Sequence, residues 1–187
     1  MSLLPLGLLS QGGGASAATG FQLISTTLIT STTASVTFSA IPATYKHLQI
    51  RVVGRYTAAV ATANLTLRFN GDTGSNYGYQ SMRGQGATIS SAAPGSYQTS
   101  LLTGDLTGAS AAADSYGSSF IDVIDYANTT KIKTTKTFGG NAASLDVFMF
   151  NGTWNSTAAI TSILVSDAVT SASFAAGSRI SLYGRGS

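Results

Sequence analysis

The stretch IPATYKHLQIRVVGR, residues 41–55, decides the fold class. A proline and a polar turn lead into it. Leu48, Ile50 and Val52 then alternate with Gln49, Arg51 and Val53. Period-two alternation with β-branched residues marks a half-buried strand. Leu48, Ile50 and Val52 are expected to point into a core. Gln49, Arg51 and Val53 should face solvent or a neighbouring protomer. The stretch also holds the only histidine, His47, and three of the ten basic residues, Lys46, Arg51 and Arg55.

The pattern continues outward from this strand. Phe21–Ile29 and Ala34–Ala40 read as two strands joined in a hairpin through a turn at residues 30–33. Asn64–Phe69 alternates Leu65, Leu67 and Phe69 against Thr66 and Arg68. Asn70-Gly71 follows, the strongest short hairpin signal, with Tyr77–Met82 as the return strand. Residues 84–96 and 103–117 read as Gly/Ala/Ser-rich loops, with at most a short helix near Ser110–Asp114. Ser118–Tyr126 alternates imperfectly. Ile132–Gly139, the strongly apolar Ser144–Phe150, Ala158–Val165 and Arg179–Tyr183 complete ten or eleven strands. No segment has helical periodicity. The expected fold is an all-β antiparallel sandwich, jelly-roll-like, with an extended N-terminal arm. Residues 1–20 form that arm and 21–187 a single domain.

Composition narrows the function. Hydrophobic residues make up 43 % of the 187 and charged residues only 9 %, with no Glu and no Cys. A typical domain is about one-quarter charged. The net charge of +3 is spread thinly rather than clustered, which argues against nucleic-acid binding. No stretch is long enough to span a membrane as a helix. A chain with so little charge is expected to hide much of its surface in an assembly. Leu3, Leu4, Leu6, Leu8 and Leu9 form an apolar run followed by a Gly/Ser/Ala tether. The run lacks the basic flank of a signal peptide and reads as an anchor that must dock onto something.

The chemistry-bearing residues each have a plainer reading. Asp72-Thr73-Gly74-Ser75 matches the aspartic-protease signature, but it follows a turn and has no second copy to share a proton with. Asn70, Asp72 and Asn76 resemble half a calcium loop whose twelfth position is Arg83. His47 could serve a triad, but no nucleophile elbow accompanies it. Asp122 and Asp125 lie three apart and face opposite sides of a strand. Lys131 and Lys133 are expected to share a strand face, as edge protection or as contact with an acidic partner. Interaction residues are therefore expected among His47, Arg51, Arg55, Lys131 and Lys133, with no enzymatic site, metal or cofactor. The sequons at Asn64, Asn128, Asn151 and Asn155 are common in so Thr-rich a chain.

Four stretches together resemble a family. LLPLGLLSQGGG, IPATYKHLQIRVVGR, LRFNGDTGSNYGYQSMRGQG and AAGSRISLYGR, with WNSTAAITSI between them, are similar to virion structural proteins of tailed bacteriophages. The resemblance implies a β-sandwich assembled by self-association, often as a homotrimer, and located in the phage particle. A capsid decoration (cement) protein bound to the major capsid protein or another virion protein is the reading it favours. A tail-fibre or receptor-binding module for host glycan is the alternative, with Tyr77, Tyr79, Tyr97 and Tyr116 as stacking candidates.

Overall fold

A computed structural model describes residues 20–167 and 172–186. The expected anchor residues Leu3, Leu4, Leu6, Leu8 and Leu9 lie outside the described residues. The described chain forms twelve strands and no helix. They are β1 (Phe21–Leu28), β2 (Ser35–Phe38), β3 (His47–Gly54), β4 (Thr62–Phe69), β5 (Tyr77–Gln85), β6 (Thr88–Ala92), β7 (Leu101–Thr107), β8 (Gly117–Ile124), β9 (Lys133–Asn141), β10 (Asp146–Trp154), β11 (Ile163–Ser166) and β12 (Arg179–Arg185). Every strand pairing is antiparallel.

A short sheet has the order β2-β11-β4-β7, and a long one β1-β12-β3-β8-β9-β10-β5-β6. Within these, β1-β12-β3-β8 packed on β2-β11-β4-β7 is an eight-stranded jelly roll, in which successive strands cross between the two sheets except for β4 and β7, which pair directly. Two hairpins are added to it. β5-β6 is inserted between β4 and β7, and β9-β10 between β8 and β11. Together they extend one sheet to eight strands. The fold class expected from sequence is the one observed.

The alternation dictates two corrections. β1 and β2 do not form a hairpin; β1 pairs with β12 and β2 with β11. Likewise β4 and β5 separate into different sheets after Asn70-Gly71. Both turn residues have positive φ, 53° and 69°. Asn70 is then held by the 159–162 segment, accepting from the amides of Thr161 at 2.8 Å and Ser162 at 3.1 Å. The supposed loops also carry strands, β6 and most of β7. Residues 110–114 form turns rather than a helix.

The core lies between the sheets. Leu48, Ile50 and Val52 are buried as expected, against Leu65, Leu67, Ile121, Val123, Ile180 and Leu182 among others. Phe69, Tyr77 and Trp154 form an aromatic cluster, with Trp154 5.6 Å from Phe69 and 6.4 Å from Tyr77 between ring centroids. Beyond this contact of Tyr77 and Trp154 with Phe69 of β4, the added hairpins lie over β7, and two features hold them there. Phe148 fills a hollow made by two glycines: a Cβ at Gly104 or at Gly139 would stand 2.4 Å from its ring. Gly104 also has φ 139°, beside a register shift in the β4–β7 pairing. Close by, the Arg83 guanidinium bridges the Asp105 carboxylate and, at 3.0 Å, the Asp146 carboxylate. Burial pushes the Asp105 pKa up despite Arg83.

Removing Arg83 leaves buried carboxylate without a cation. Arg83→Ala should cost about 3 kcal/mol in urea unfolding at neutral pH, the low end for a broken buried pair because Arg83 is partly exposed. The loss should shrink in acid, where Asp105, its pKa raised by burial, is protonated.

Candidate functional site

Apart from the edge strands β1 and β6, each long-sheet strand turns one face towards the short sheet or β7 and the other outward. On β8, β9 and β10 that outward face is apolar where solvent-facing strands are usually polar. The strand register sets the side chains in a row. Phe120 lies opposite Phe138, Phe138 opposite Met149, and Met149 opposite Met82. These four are between 47 % and 56 % exposed. The row crosses three strand gaps, about 14 Å. In the next row towards the β9–β10 turn, Val147 and Ile89 stand beside Gly140 and Gly84. The small residues leave a trough of about 220 Å³ lined by Met82, Ile89, Phe138, Val147 and Met149. On the other side, a groove of about 470 Å³ continues over Phe120 and Met149.

Polar residues bound this patch. Asp122, Lys136, Asn151 and Gln80 form the adjoining row across β8, β9, β10 and β5. Beyond them, Tyr97 stands over Gly78, where a Cβ would be 3.2 Å from its ring. Gly78, Gln80, Asn151, Thr153 and Tyr97 line a cleft of about 430 Å³ that contains no charged side chain. At the β3 end, Arg51 closes the apolar row. Its guanidinium lies 4.4 Å from the Tyr183 ring centroid and 5.0 Å from that of Phe21, and its Nε donates to Gln49 at 2.7 Å. Gln49 in turn donates to Asp122 at 2.8 Å.

The residues expected to interact do not form one site. Arg51 belongs to the outward face, as expected. His47 sits at its margin, where Nδ1 accepts from the Asp125 amide at 3.0 Å. Arg55 is a correction: it is buried, and its guanidinium donates to the carbonyls of Ala109, Ala111, Ala112 and Ser115, clamping the loop before β8. Lys133 is another. β9 is a central strand, so it needs no edge protection, and Lys133 does not share a surface with Lys131. Its ammonium is buried and donates to the carbonyls of Asn128 at 2.6 Å, Lys131 at 2.9 Å and Thr157 at 3.0 Å. Lys131 remains exposed and pairs with Asp125 at 3.2 Å. Of the tyrosines, Tyr77 is fully buried, and Tyr116 donates to the Ala176 carbonyl. Tyr79 packs on Phe150 at 5.8 Å, and Tyr97 is 45 % exposed.

The protease-like and calcium-like turn is occupied with holding itself together. Asp72 accepts from Gly74 N at 2.8 Å, Asn76 Nδ2 at 2.9 Å and Trp154 Nε1 at 2.7 Å. It thereby ties the turn to the aromatic cluster. Among the described residues no group of three or more His, Cys, Asp or Glu could hold a metal ion.

The residues that sequence reasoning missed are Phe120, Phe138, Met149, Met82, Val147 and Ile89. Their signal was present in DVFMF, residues 146–150, which is apolar on both faces, and in the imperfect alternation around Phe120. No family model matches the chain, and neither a curated protein nor a solved structure is significantly similar to it.

The Asp72 pKa is held below the ordinary carboxylate value, chiefly by the Trp154 indole. Stability from such a group is present above the unfolded-state pKa and is lost as pH falls through the depressed folded one. Asp72→Asn should therefore lower Tm at neutral pH, and the difference from the native chain should close in strong acid. Melting curves across the acid range check this.

Proposed function

We propose that the chain is a non-enzymatic structural component of a tailed-phage virion, a decoration protein that binds and stabilises the capsid shell. The observation that carries this reading is the exposed apolar row Phe120–Phe138–Met149–Met82. Contiguous apolar surface of this kind marks a protein interface. The row sits on a rigid sheet in a chain of which only 9 % is charged, so little electrostatic repulsion opposes close packing into an assembly. The resemblance to phage virion proteins supplies the class of assembly. On this reading the partners are the major capsid protein or another virion protein, the body is a homotrimer, and the apolar arm contributes to anchoring.

One observation favours a second reading, a tail-associated module for host glycan. The uncharged cleft beside Tyr97 offers an aromatic face with the amides of Gln80 and Asn151, the groups that stack on and hydrogen-bond to a neutral sugar.

Quantitative gels of purified virions separate the two. Decoration predicts on the order of hundreds of copies per particle, repeated with the symmetry of the shell. A count of a few tens or fewer transfers the protein to the tail. Absence from the particle overturns both. Tyr97→Ala should leave incorporation unchanged under the first reading and abolish adsorption to host cells under the second.

A further inference from the structure

The apolar row has no cover among the described residues, and the same chain carries a segment of matching chemistry. Residues 1–19 contain no charged side chain, and five of residues 3–9 are leucine. The trough between the row and Ile89 is likewise uncharged. The outward-facing charged groups nearest to it are Lys136, one row away on β9, and Arg51, beyond Phe120 at the β3 end of the row. Seven extended residues span about 23 Å. That length covers the trough from β9 to β6, which is three strand gaps or about 14 Å. We propose that Leu3–Leu9 of one copy occupies the apolar trough on the long sheet of a neighbouring copy. This rests on the reading of the chain as an assembly component, and it names the contact through which copies join.

Geometry favours a neighbour over the chain's own face. Phe21 pairs with Arg185, and Arg185 with His47. The arm therefore leaves the sheet four residues along β3 from Arg51, at the β1 edge. From there the near edge of the chain's own trough, Phe138 on β9, is four strand gaps across and four residues along, about 23 Å away. Residues 10–20, rich in Gly, Ser and Ala, form the connection. A random coil of that length and composition has a root-mean-square span of roughly 18 Å. The chain's own trough lies beyond that relaxed span, whereas the trough of a copy packed beside β1 need not. An arm-to-face contact of this kind is heterologous, and repeated about a rotation axis it closes into a ring such as a trimer.

The test uses purified full-length chain without any phage component, so its outcome is independent of the virion measurement. Light scattering should give a discrete oligomer. Deletion of residues 1–19 should reduce it to the mass of one chain, and so should Phe138→Ser with Met149→Ser. Val60→Ser, an exposed loop substitution elsewhere, should leave it intact. Because the chain has no cysteine, a Leu6→Cys copy mixed with a tagged Met149→Cys copy should form a disulfide between the two. This second measurement keeps the arm in place should the truncated chain precipitate. The proposal is overturned by a full-length chain that is monomeric. It is equally overturned by an oligomer that survives arm deletion but not the row substitutions, which would mean face-to-face pairing. Crosslinking confined to single chains carrying both cysteines would place the arm on its own face and exclude the exchange.

Discussion

The long sheet depends on how its last four strands are held down. A jelly roll of eight strands covers its own core, but β9, β10, β5 and β6 project past the four-stranded sheet and, apart from the packing of Tyr77 and Trp154 on Phe69, meet chiefly β7. That leaves little apolar area to fix them. Away from that aromatic cluster, the fixing is done by one ring and one cation. Phe148 enters a hollow that exists because residues 104 and 139 have no side chains, and Arg83 links carboxylates on β7 and β10. Buried charge is a weak source of net stability, but a broken pair is costly. The arrangement therefore acts against displacement of the hairpins more than it adds to cohesion.

The outward face follows from that anchoring. The extension places Phe138, Met149 and Met82 on adjacent strands in register, and a one-residue slip would turn them inward and expose Phe148 and Phe150 instead. Arg83 and Phe148 thus fix the register on which the apolar row depends. Arg51 terminates the row at β3. Its guanidinium lies against Phe21, Phe120 and Tyr183, which covers those rings with a cation. Leu23, Leu28 and Val53 are also exposed on β1 and β3, but the added strands are where exposed apolar side chains stand opposite one another in a row.

How much of this was legible in the sequence differs by link. Strand identity was, because Leu48-Ile50-Val52 and Leu65-Leu67-Phe69 alternate cleanly and are buried as read. Strand pairing was not. Asn70-Gly71 has the backbone of a hairpin turn, but whether the chain returns in the same sheet is decided by side-chain hydrogen bonds to residue 161, far away in sequence. β6 was hidden because all five of its residues are exposed, so no alternation exists to be read. Lys133 and Arg55 were misplaced for one shared reason. Charge predicts exposure only until a ring of backbone carbonyls takes the place of water, and such rings are formed by turns remote in sequence.

Those same carbonyl rings explain why charge carries so little of the surface chemistry. Arg55 is spent on the loop before β8, Lys133 on the turn around Asn128, Arg83 on Asp105 and Asp146, and Asp72 on its own turn and Trp154. Each is a charged group used where a neutral one would leave backbone or side-chain polar atoms unmet. A chain with seventeen charged residues that commits six of them to such internal contacts has fewer left with which to recognise a partner electrostatically. Recognition then falls to shape and apolar contact. A surface of Phe and Met serves that purpose, because Met adapts to irregular partners and Phe supplies area. Association through it should therefore persist in high salt, where a contact built on ion pairs would weaken.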